Sequence, residues 1–401
     1  MPRRVVFSLL TPLFAFGLAV VLVAAPASRS AQSTARRIVA IGDIHGSADG
    51  LSAILKAASL IDDRGTWIGG SAHLVQTGDY MDRGEQVRDV LDMLMRLEDE
   101  ADRAGGHAEI LMGNHEVMNL LLDLRDVSPR VYAAFADEKS EDRRKRAYRD
   151  YADVMQRGKR SSVSEEEWNT SHPLGFVEYV DALRPGERYG RWLRDRKVVV
   201  EDGGTIFMHA GLKAGTTGNL DDVNRTAERE VQSWDRTREI LVRAGLITPY
   251  FTLREALQAV VAELRRIAAA VEAKEPAGDH VTRELVEELR AATQIVQSSL
   301  LHADGPLWFR GFAVDPDSDG AKVAALLERF HAARFVTGHT PMVKGITSRF
   351  DNRVFLIDTG MLSSYYTGGR ASALEISGGT ITAIYANGRE VLASMPPVDL
   401  R

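Results

Sequence analysis

The clearest evidence for the fold of this chain is the segment Ile38-Val39-Ala40-Ile41-Gly42-Asp43-Ile44-His45-Gly46. Four apolar residues are followed at once by glycine, aspartate and histidine. This pattern predicts a short buried strand that delivers a polar loop at its carboxyl end. The same arrangement recurs in the segments 74–79, 110–115, 206–209 and 334–339. Each apolar run ends at Asp, Asn or His, so the sequence predicts polar side chains gathered at the carboxyl ends of several strands.

The segments between these runs favour an α/β fold. Apolar residues recur at helical spacing after Glu85, which predicts a helix there. Alternation of strands and helices is typical of α/β domains, where ligands bind at the carboxyl ends of the strands. Two long interruptions, at about 118–196 and 220–301, are predicted to be helical insertions that form a rim or cap. The part 354–392 alternates apolar and polar residues around glycine-rich turns, which predicts an antiparallel meander.

The N-terminus has the pattern of an export signal. Arginines at positions 3 and 4 precede an uncharged, mostly apolar stretch over 5–25, and small residues follow. This pattern predicts a signal peptide over 1–27 and a secreted or periplasmic protein. The alternative is an uncleaved membrane anchor that extends to about residue 35, with the rest of the chain outside the cytoplasm. In either case, 36–401 is predicted to be a single domain that contains both helical insertions.

The amino-acid composition limits the kinds of metal site, nucleophile and partner that the chain can have. The chain has 401 residues, 10 histidines and no cysteine, which excludes thiolate metal sites, iron–sulfur clusters and a cysteine nucleophile. Any bound metal must therefore be held by His, Asp, Glu or Asn. The formal charge is −6, and removal of 1–27, which carries two arginines and no acid, would change it to −8. Such a chain has no global basic field, so nucleic acid is not an expected partner.

Six side chains at the predicted strand ends are candidate metal ligands. They supply carboxylate, amide and imidazole donors: Asp43, His45, Asp79, Asn114, His209 and His339. Because a tetrahedral ion needs only four ligands, this set fits two divalent ions better than one. Two ions about 3.5–4 Å apart, bridged by a carboxylate and a water, form a centre suited to phosphoryl chemistry.

Three further residues complete such a centre. Arg83 follows Asp79 by four residues, and its guanidinium can bind two phosphate oxygens at once. His115 directly follows a candidate ligand and is expected to point differently, so we interpret it as a general acid toward the leaving oxygen. A role as a plain metal ligand is the alternative for His115. Asp82 is placed to hold and polarise this imidazole.

The polar motifs resemble those of a known family. They are GDxHG at 42–46, GDxxDRG at 78–84, GNHE at 113–116, HAG at 209–211 and GHT at 338–340. Five such motifs in this order resemble the phosphoprotein phosphatase branch of the binuclear metallophosphoesterases. Three further segments resemble the Shewanella-like protein phosphatase subgroup: 114–119, 305–311 and 357–361. The resemblance covers about residues 38–376.

The resemblance implies an architecture and an activity. The fold would be an α/β/β/α sandwich of two mixed β-sheets flanked by helices. The activity would be that of a metal-dependent phosphomonoesterase, which hydrolyses phospho-Tyr or phospho-Ser/Thr in proteins, and small phosphate esters in vitro. Hydrolysis would proceed by in-line attack of a metal-bridging hydroxide. The eukaryotic Ser/Thr enzymes carry GDxVDRG where this chain has Met81, which leaves tyrosine as open as serine and threonine.

The resemblance also implies a role for each site residue. Carried over by position, Asp43 and His45 hold the first metal ion, Asp79 bridges the two ions, and the second ion is held by Asn114, His209 and His339. His115 is the acid, with Asp82 behind it. Arg83 and Arg310 bind phosphate. The cofactors would be two divalent or mixed-valence ions. Hard oxygen and imidazole ligands fit Mn, Fe and Zn alike.

Two other functions stay open at this point. Hydrolases of symmetrical dinucleoside polyphosphates, and nucleotide phosphatases, share the same core motifs. A catalytically silent, metal-stabilised binding module anchored by residues 5–25 is an alternative of another class. The presence of Asp82, Arg83 and His115 argues against that module, because metal binding alone does not need them.

Overall fold

The centre of the fold is built from eleven β-strands, in a computed structural model that describes Met1 and residues 36–394. In chain order the strands are β1 (Ile38–Ile41), β2 (His73–Gln76), β3 (His107–Ile110), β4 (Val199–Asp202), β5 (Thr205–Met208), β6 (Arg334–Thr337), β7 (Thr347–Arg349), β8 (Val354–Leu356), β9 (Ser372–Ser377), β10 (Thr380–Tyr385) and β11 (Gly388–Ser394). They form a six-stranded sheet in the order β11-β10-β9-β1-β2-β3 and a five-stranded sheet in the order β4-β5-β6-β8-β7.

Both sheets are mixed. In the first, β1, β2 and β3 run parallel, while β9, β10 and β11 form an antiparallel meander that joins β1. In the second, the parallel strands β5, β6 and β8 are flanked by antiparallel β4 and β7. The parallel strands therefore deliver their carboxyl ends to one edge of each sheet.

The described helices surround these sheets. They are α1 (Ala48–Ala57), α2 (Val87–Arg103), α3 (Asn114–Leu120), α4 (Pro129–Ala133), α5 (Ser140–Arg157), α6 (Glu165–Ser171), α7 (Phe176–Ala182), α8 (Arg188–Arg194), α9 (Leu220–Arg243), α10 (Leu253–Ala273), α11 (Arg283–Gln294), α12 (Gly311–Val314) and α13 (Gly320–Arg329). Helices α4 to α8 lie between β3 and β4 in the chain, and α9 to α11 follow β5. These two groups fall within the segments 118–196 and 220–301.

Alternation along the strands produces the layers. In β1, Ile38 and Ala40 pack in a core that also contains Phe207 and Val336 of the second sheet, whereas Val39 and Ile41 belong to the larger core beneath the helices. One face of β1 therefore contacts the other sheet, and its opposite face packs beneath the helices. The predicted α/β/β/α sandwich is confirmed.

Two details of the prediction are wrong. The third apolar run, 110–112, extends beyond its strand, because β3 ends at Ile110 and the Met112 amide instead donates to the Lys197 carbonyl at 2.8 Å. The meander predicted over 354–392 is shorter, because β8 pairs in parallel with β6 in the second sheet. A periodicity of two residues identifies a strand but does not identify its partner.

Apart from Met1, the predicted signal peptide, 1–27, lies outside the described residues, and it stays a prediction. No helix among the described residues combines the length and the apolar composition needed to cross a membrane.

Candidate active site

The candidate site lies where the parallel strands of both sheets end. The loop after β1 in the first sheet carries Asp43 and His45, the loop after β2 carries Asp79, and Asn114 is the first residue of α3, which follows β3. Loops that follow β5 and β6 in the second sheet carry the other two predicted ligands, His209 and His339. All six of these side chains are buried. The fold thus brings together residues that lie up to 296 positions apart in the chain, as the hydrogen bond from the His339 amide to Asp43 shows.

Two clusters of metal-ligating atoms share one carboxylate. His45, Asp79 and His115 form one cluster, and Asp79, His209 and His339 form the other, with all ligand atoms of a cluster within 4.8 Å of one another. The Oδ2 atom of Asp79 lies 3.3 Å from Nε2 of His209 and 3.7 Å from Nε2 of His45. Asp79 therefore occupies the position that a bridging ligand requires.

The remaining two predicted ligands lie at either side of this carboxylate. Asp43 Oδ2 is 3.8 Å from Nε2 of His45. Asn114 Oδ1 is 2.8 Å from Nε2 of His209, which in turn is 3.0 Å from Nδ1 of His339. Oxygen and imidazole donors thus converge without intervening apolar groups, which is the arrangement a cation stabilises.

The orientation of the imidazoles also fits metal ligation. In each ring one nitrogen faces a backbone carbonyl: His45 Nδ1 lies 3.0 Å from Met81 O, His209 Nδ1 lies 3.1 Å from Thr77 O, and His339 Nε2 lies 3.2 Å from Trp308 O. Because a nitrogen facing a carbonyl must carry the proton, the other nitrogen is left with a free lone pair that points into the cluster. Burial lowers the pKa of His45 to about 3 and that of His339 to about 2, so both rings are neutral.

His115 has a different environment from the other imidazoles. Its Nδ1 lies 2.7 Å from Asp82 Oδ2, so the group that accepts its N–H hydrogen bond is a carboxylate and not a carbonyl. Asp82 is itself held by Asn119, whose amide donates to Asp82 Oδ1 at 2.8 Å and to the His115 carbonyl at 2.9 Å. Burial opposes a charge on His115, but the negative charges of Asp79 and Asp82 and the Asp82 hydrogen bond raise its pKa to about 9.

Two arginines reach the same centre. Arg83 places Nη1 2.6 Å from Nε2 of His45 and Nη2 3.0 Å from Nε2 of His115. Arg310 donates from Nη1 to the His339 carbonyl and to Thr340 Oγ1, both at 3.1 Å. Both line a cavity of about 80 Å³ together with Asp79, Asn114, His115 and His339. All ten side chains predicted from the sequence are therefore brought to one place.

The family model that describes calcineurin-like phosphoesterases matches residues 36–343, which is most of the chain. The chain belongs to the calcineurin-like phosphoesterase family. It is accordingly a metal-dependent phosphoesterase, and the family resemblance read from its motifs is confirmed.

Three proteins illustrate the relationship of this phosphoesterase to known sequences. It is 28% identical over 345 residues to an uncharacterised protein of Schizosaccharomyces pombe, a match that covers 85% of this chain and 77% of that protein. It is 34% identical over 214 residues to Shewanella-like protein phosphatase 2 of Arabidopsis thaliana, covering 49% and 51% of the two chains. A shorter match, 38% identical over 99 residues, is to Shewanella-like protein phosphatase 1 of Plasmodium berghei, covering 25% and 27%.

Solved structures share the fold of this phosphoesterase. The cold-active protein-tyrosine phosphatase of a psychrophilic Shewanella species superposes with a TM-score of 0.57 at 23% identity, and covers 89% of this chain and 80% of its own. A second structure of a cold-active protein tyrosine phosphatase gives a TM-score of 0.56 at 22% identity, covering 90% and 79%.

The loops of this phosphoesterase hold a strained backbone at the site. Five non-glycine site residues have left-handed φ angles: His45 (49°), Asp79 (58°), Asp82 (65°), Arg83 (63°) and His339 (68°). Each such residue costs about 1–2 kcal/mol relative to an ordinary conformation. Strain of this kind persists only where the surroundings fix the backbone.

Glu116 supplies much of that fixation, although the sequence reading assigned it no role. One oxygen of its buried carboxylate accepts from the amides of Asp79 and Gly113, both at 2.8 Å, and the other accepts from Tyr80 and Met81, both at 2.9 Å. Burial and the charge of Asp79 raise the pKa of Glu116 to about 7, while these backbone hydrogen bonds act in the opposite direction. The side chain therefore ties the loop after β2 to the loop after β3.

Other residues at the site were also missed. Tyr366 accepts a hydrogen bond at its hydroxyl from Arg83, and the ring of Tyr365 lies 5.0 Å from the Arg83 guanidinium. Asp358 is buried. Burial of Asp43 is the main cause that raises the pKa of Asp43, and the negative charge of Asp358 raises it further. Arg125 lines the cavity beside Arg83. Asp358 lies in the 357–361 motif, which was a usable signal, whereas no pattern in the sequence indicates Arg125.

The Glu116→Gln variant is expected to lose stability and metal affinity together. Glutamine keeps one acceptor oxygen, but its NH₂ group would face two backbone N–H donors. The unsatisfied donors should lower the free energy of unfolding by about 1–3 kcal/mol, measured by denaturant titration. The metal concentration needed for half-maximal activity should rise.

Glu228→Gln, on the exposed face of α9, is the matched control and should change neither quantity. If Glu116→Gln behaved like this control, the carboxylate would not be what holds the two loops.

Proposed function

We propose that this calcineurin-like phosphoesterase is a binuclear phosphomonoesterase that acts on phosphorylated proteins. The observation that carries the proposal is the position of Asp79, which belongs to two ligand clusters at once and lies beside Arg83 and His115. A single-ion site would not need a shared carboxylate. A binding module would need neither an arginine at the cavity nor a histidine held by a carboxylate.

The contacts support the following assignment of residues to the two ions. Asp43 and His45 would hold the first, and His209 with His339 and Asn114 the second, with Asp79 between them. When bound, the ions would neutralise charge on the phosphate oxygens and activate the attacking water. Their identity among Mn, Fe and Zn depends on availability as much as on these ligands.

The chain's own residues would bind the phosphate and supply a proton. Arg83 and Arg310 line the cavity from two sides, so their guanidinium groups would orient the phosphate and neutralise charge that develops in the transition state. His115 keeps one proton on Nδ1 through Asp82, which leaves Nε2 facing the cavity. A proton on Nε2 would pass to the departing alcohol or phenol oxygen.

The substrate class rests on the relatives and on the rim of the cavity. The plant relative of which this chain matches about half is named a protein phosphatase. Tyr365 is 59% exposed, and its ring offers a flat apolar surface 5.0 Å from the guanidinium of Arg83, which lines the cavity. Such a surface would favour the phenol of phosphotyrosine over the small leaving groups of phosphoserine and phosphothreonine. The N-terminal pattern supports action outside the cytoplasm.

The proposal is tested with His115→Asn and a panel of substrates. The panel contains an aryl phosphate, phosphopeptides that carry each of the three residues, and a symmetrical dinucleoside polyphosphate. We expect the wild type to hydrolyse the phosphopeptides and the aryl phosphate. In His115→Asn, turnover should fall by about 10²- to 10⁴-fold with all of them, because the proton donor is lost, while metal content is retained.

Two results would overturn these assignments. Loss of metal from His115→Asn would make His115 a ligand of the first ion instead of the proton donor. Hydrolysis of the dinucleoside polyphosphate without any activity on phosphopeptides would make the protein a nucleotide hydrolase.

The Asp82→Asn variant tests the origin of the acid. Asp82 raises the pKa of His115, so its neutral replacement should lower that pKa. The protonated form of His115 is lost as pH rises through its pKa, and the basic limb of the kcat profile should therefore move to lower pH, by about one unit or more. Asp89→Asn, on the exposed face of α2, should leave the profile unchanged. A basic limb that did not move would separate Asp82 from the proton donor.

A further inference from the structure

A second and larger concavity lies beside the catalytic cavity. It has a volume of about 860 Å³ and runs along α10. The opposite wall is formed by the segment that follows α3 and by α4 and α7, with Leu124, Tyr132 and Phe176 among its apolar residues. We call it the α10 groove.

The α10 groove adjoins the catalytic cavity, because Arg125 lines both of them. The N-terminal end of α10 is attached to the same segment of the chain, since the Leu253 amide donates to the Leu122 carbonyl at 2.9 Å, three residues before Arg125. We therefore take the start of α10 as the end of the groove that is nearer to the cavity.

One face of α10 lines the groove with a defined pattern. Arg254, Leu257, Val261 and Arg265 are spaced three, four and four residues apart, which places them in one row on the helix. The row has arginines at its ends and apolar side chains between them. Val261 is 38% exposed, which leaves an apolar surface open in the middle of the row.

Most of the charged side chains that line the groove are positive. Among its lining residues Asp123 alone is acidic, and this carboxylate is paired with Arg125 at 3.4 Å. Arg254 and Arg265 are exposed, and neither has an ion pair or hydrogen bond with another side chain in the part of the chain that the structure describes. Two cations are thus available to a ligand that approaches along the helix.

We propose that the α10 groove binds the polypeptide next to the phosphorylated residue of the substrate. The inference rests on the proposed protein phosphatase function, and it names the kind of sequence that function would prefer. The bound segment would be extended, with an apolar side chain against Leu257 and Val261 and acidic side chains toward Arg254 and Arg265. Arg254 would contact the position nearer to the phosphorylated residue.

The dimensions set the spacing of the preferred residues. Arg265 follows Arg254 by eleven residues, which corresponds to about 16 Å at the rise of an α-helix. An extended peptide covers that distance in about five residues. The preferred segment therefore carries two acidic residues about five positions apart, with an apolar residue between them.

The test compares peptides that differ only in the flanking segment. Each peptide carries the same phosphorylated residue and either the acidic and apolar pattern, the same pattern with lysine in place of the acids, or a Gly-Ser segment. Each pattern is placed on the N-terminal or the C-terminal side in separate peptides. An aryl phosphate without any flanking chain reports the catalytic centre alone.

The variants are the double charge reversal Arg254→Glu/Arg265→Glu and, separately, Val261→Asp. For one of the two acidic peptides, the one whose pattern lies on the side of the phosphorylated residue that enters the groove, KM should rise about tenfold in each variant. The reason is that several weak contacts are lost at once. The lysine peptide should bind better to the charge-reversed variant than to the wild type. Activity on the aryl phosphate should not change. Arg283→Glu, at a 93% exposed side chain on α11, is the matched control and should behave like the wild type.

Each remaining outcome overturns the inference in a recognisable way. Phosphopeptide hydrolysis by the wild type with no dependence on the flanking segment would remove the groove from substrate binding but leave the proposed function intact. Activity on the aryl phosphate and on no phosphopeptide would overturn both. A change of oligomeric state in Val261→Asp, measured by light scattering, would show that a second copy of the chain covers the groove. Binding of the wild type to anionic vesicles that is lost in the charge-reversed variant would assign the groove to a membrane.

Discussion

The site depends on the buried carboxylate of Glu116, which accepts hydrogen bonds from four backbone amides in two loops. The loop after β2 must turn through left-handed conformations at Asp79, Asp82 and Arg83 to point three functional side chains in one direction. An unsupported chain would relax to cheaper backbone angles. Glu116 satisfies the amides of Asp79, Tyr80 and Met81 on the strained path, which helps to fix the ligand, the supporting acid and the arginine in one place.

The same loops distinguish two kinds of histidine by their hydrogen-bond partners. The three predicted metal-binding imidazoles each face a neutral backbone carbonyl, which fixes the tautomer without favouring a positive charge. His115 faces the carboxylate of Asp82, which favours the protonated ring. The hydrogen-bond partner therefore distinguishes the two kinds of ring. A ring that faces a carbonyl can bind a cation, whereas the ring that faces a carboxylate can donate a proton. The distance between His115 and Asp79, 3.8 Å, does not make this distinction by itself.

Much of the fold and of the site could be predicted because the signals are local. A run such as Ile38–Ile41 followed by Asp43 and His45 specifies both a buried strand and the donors at its end, and parallel pairing then collects those donors. The role of Glu116 could not be predicted, because its carboxylate oxygens accept hydrogen bonds from amides that lie 35 to 37 positions earlier in the chain. The contact of Tyr366 with Arg83 spans 283 positions, and the placement of β8 beside β6 likewise depends on tertiary packing. The α10 groove is visible only once α10 and the segment after α3 lie side by side.

We propose that two ions act together around Asp79. The most direct measurement is the ratio of bound metal to protein, determined by plasma mass spectrometry while metal-free protein is titrated back to full phosphatase activity. The shared carboxylate predicts that activity saturates only at two ions per chain. Full activity at one ion per chain would contradict a centre of two ions, because one of the two ligand clusters would then have no part in the reaction.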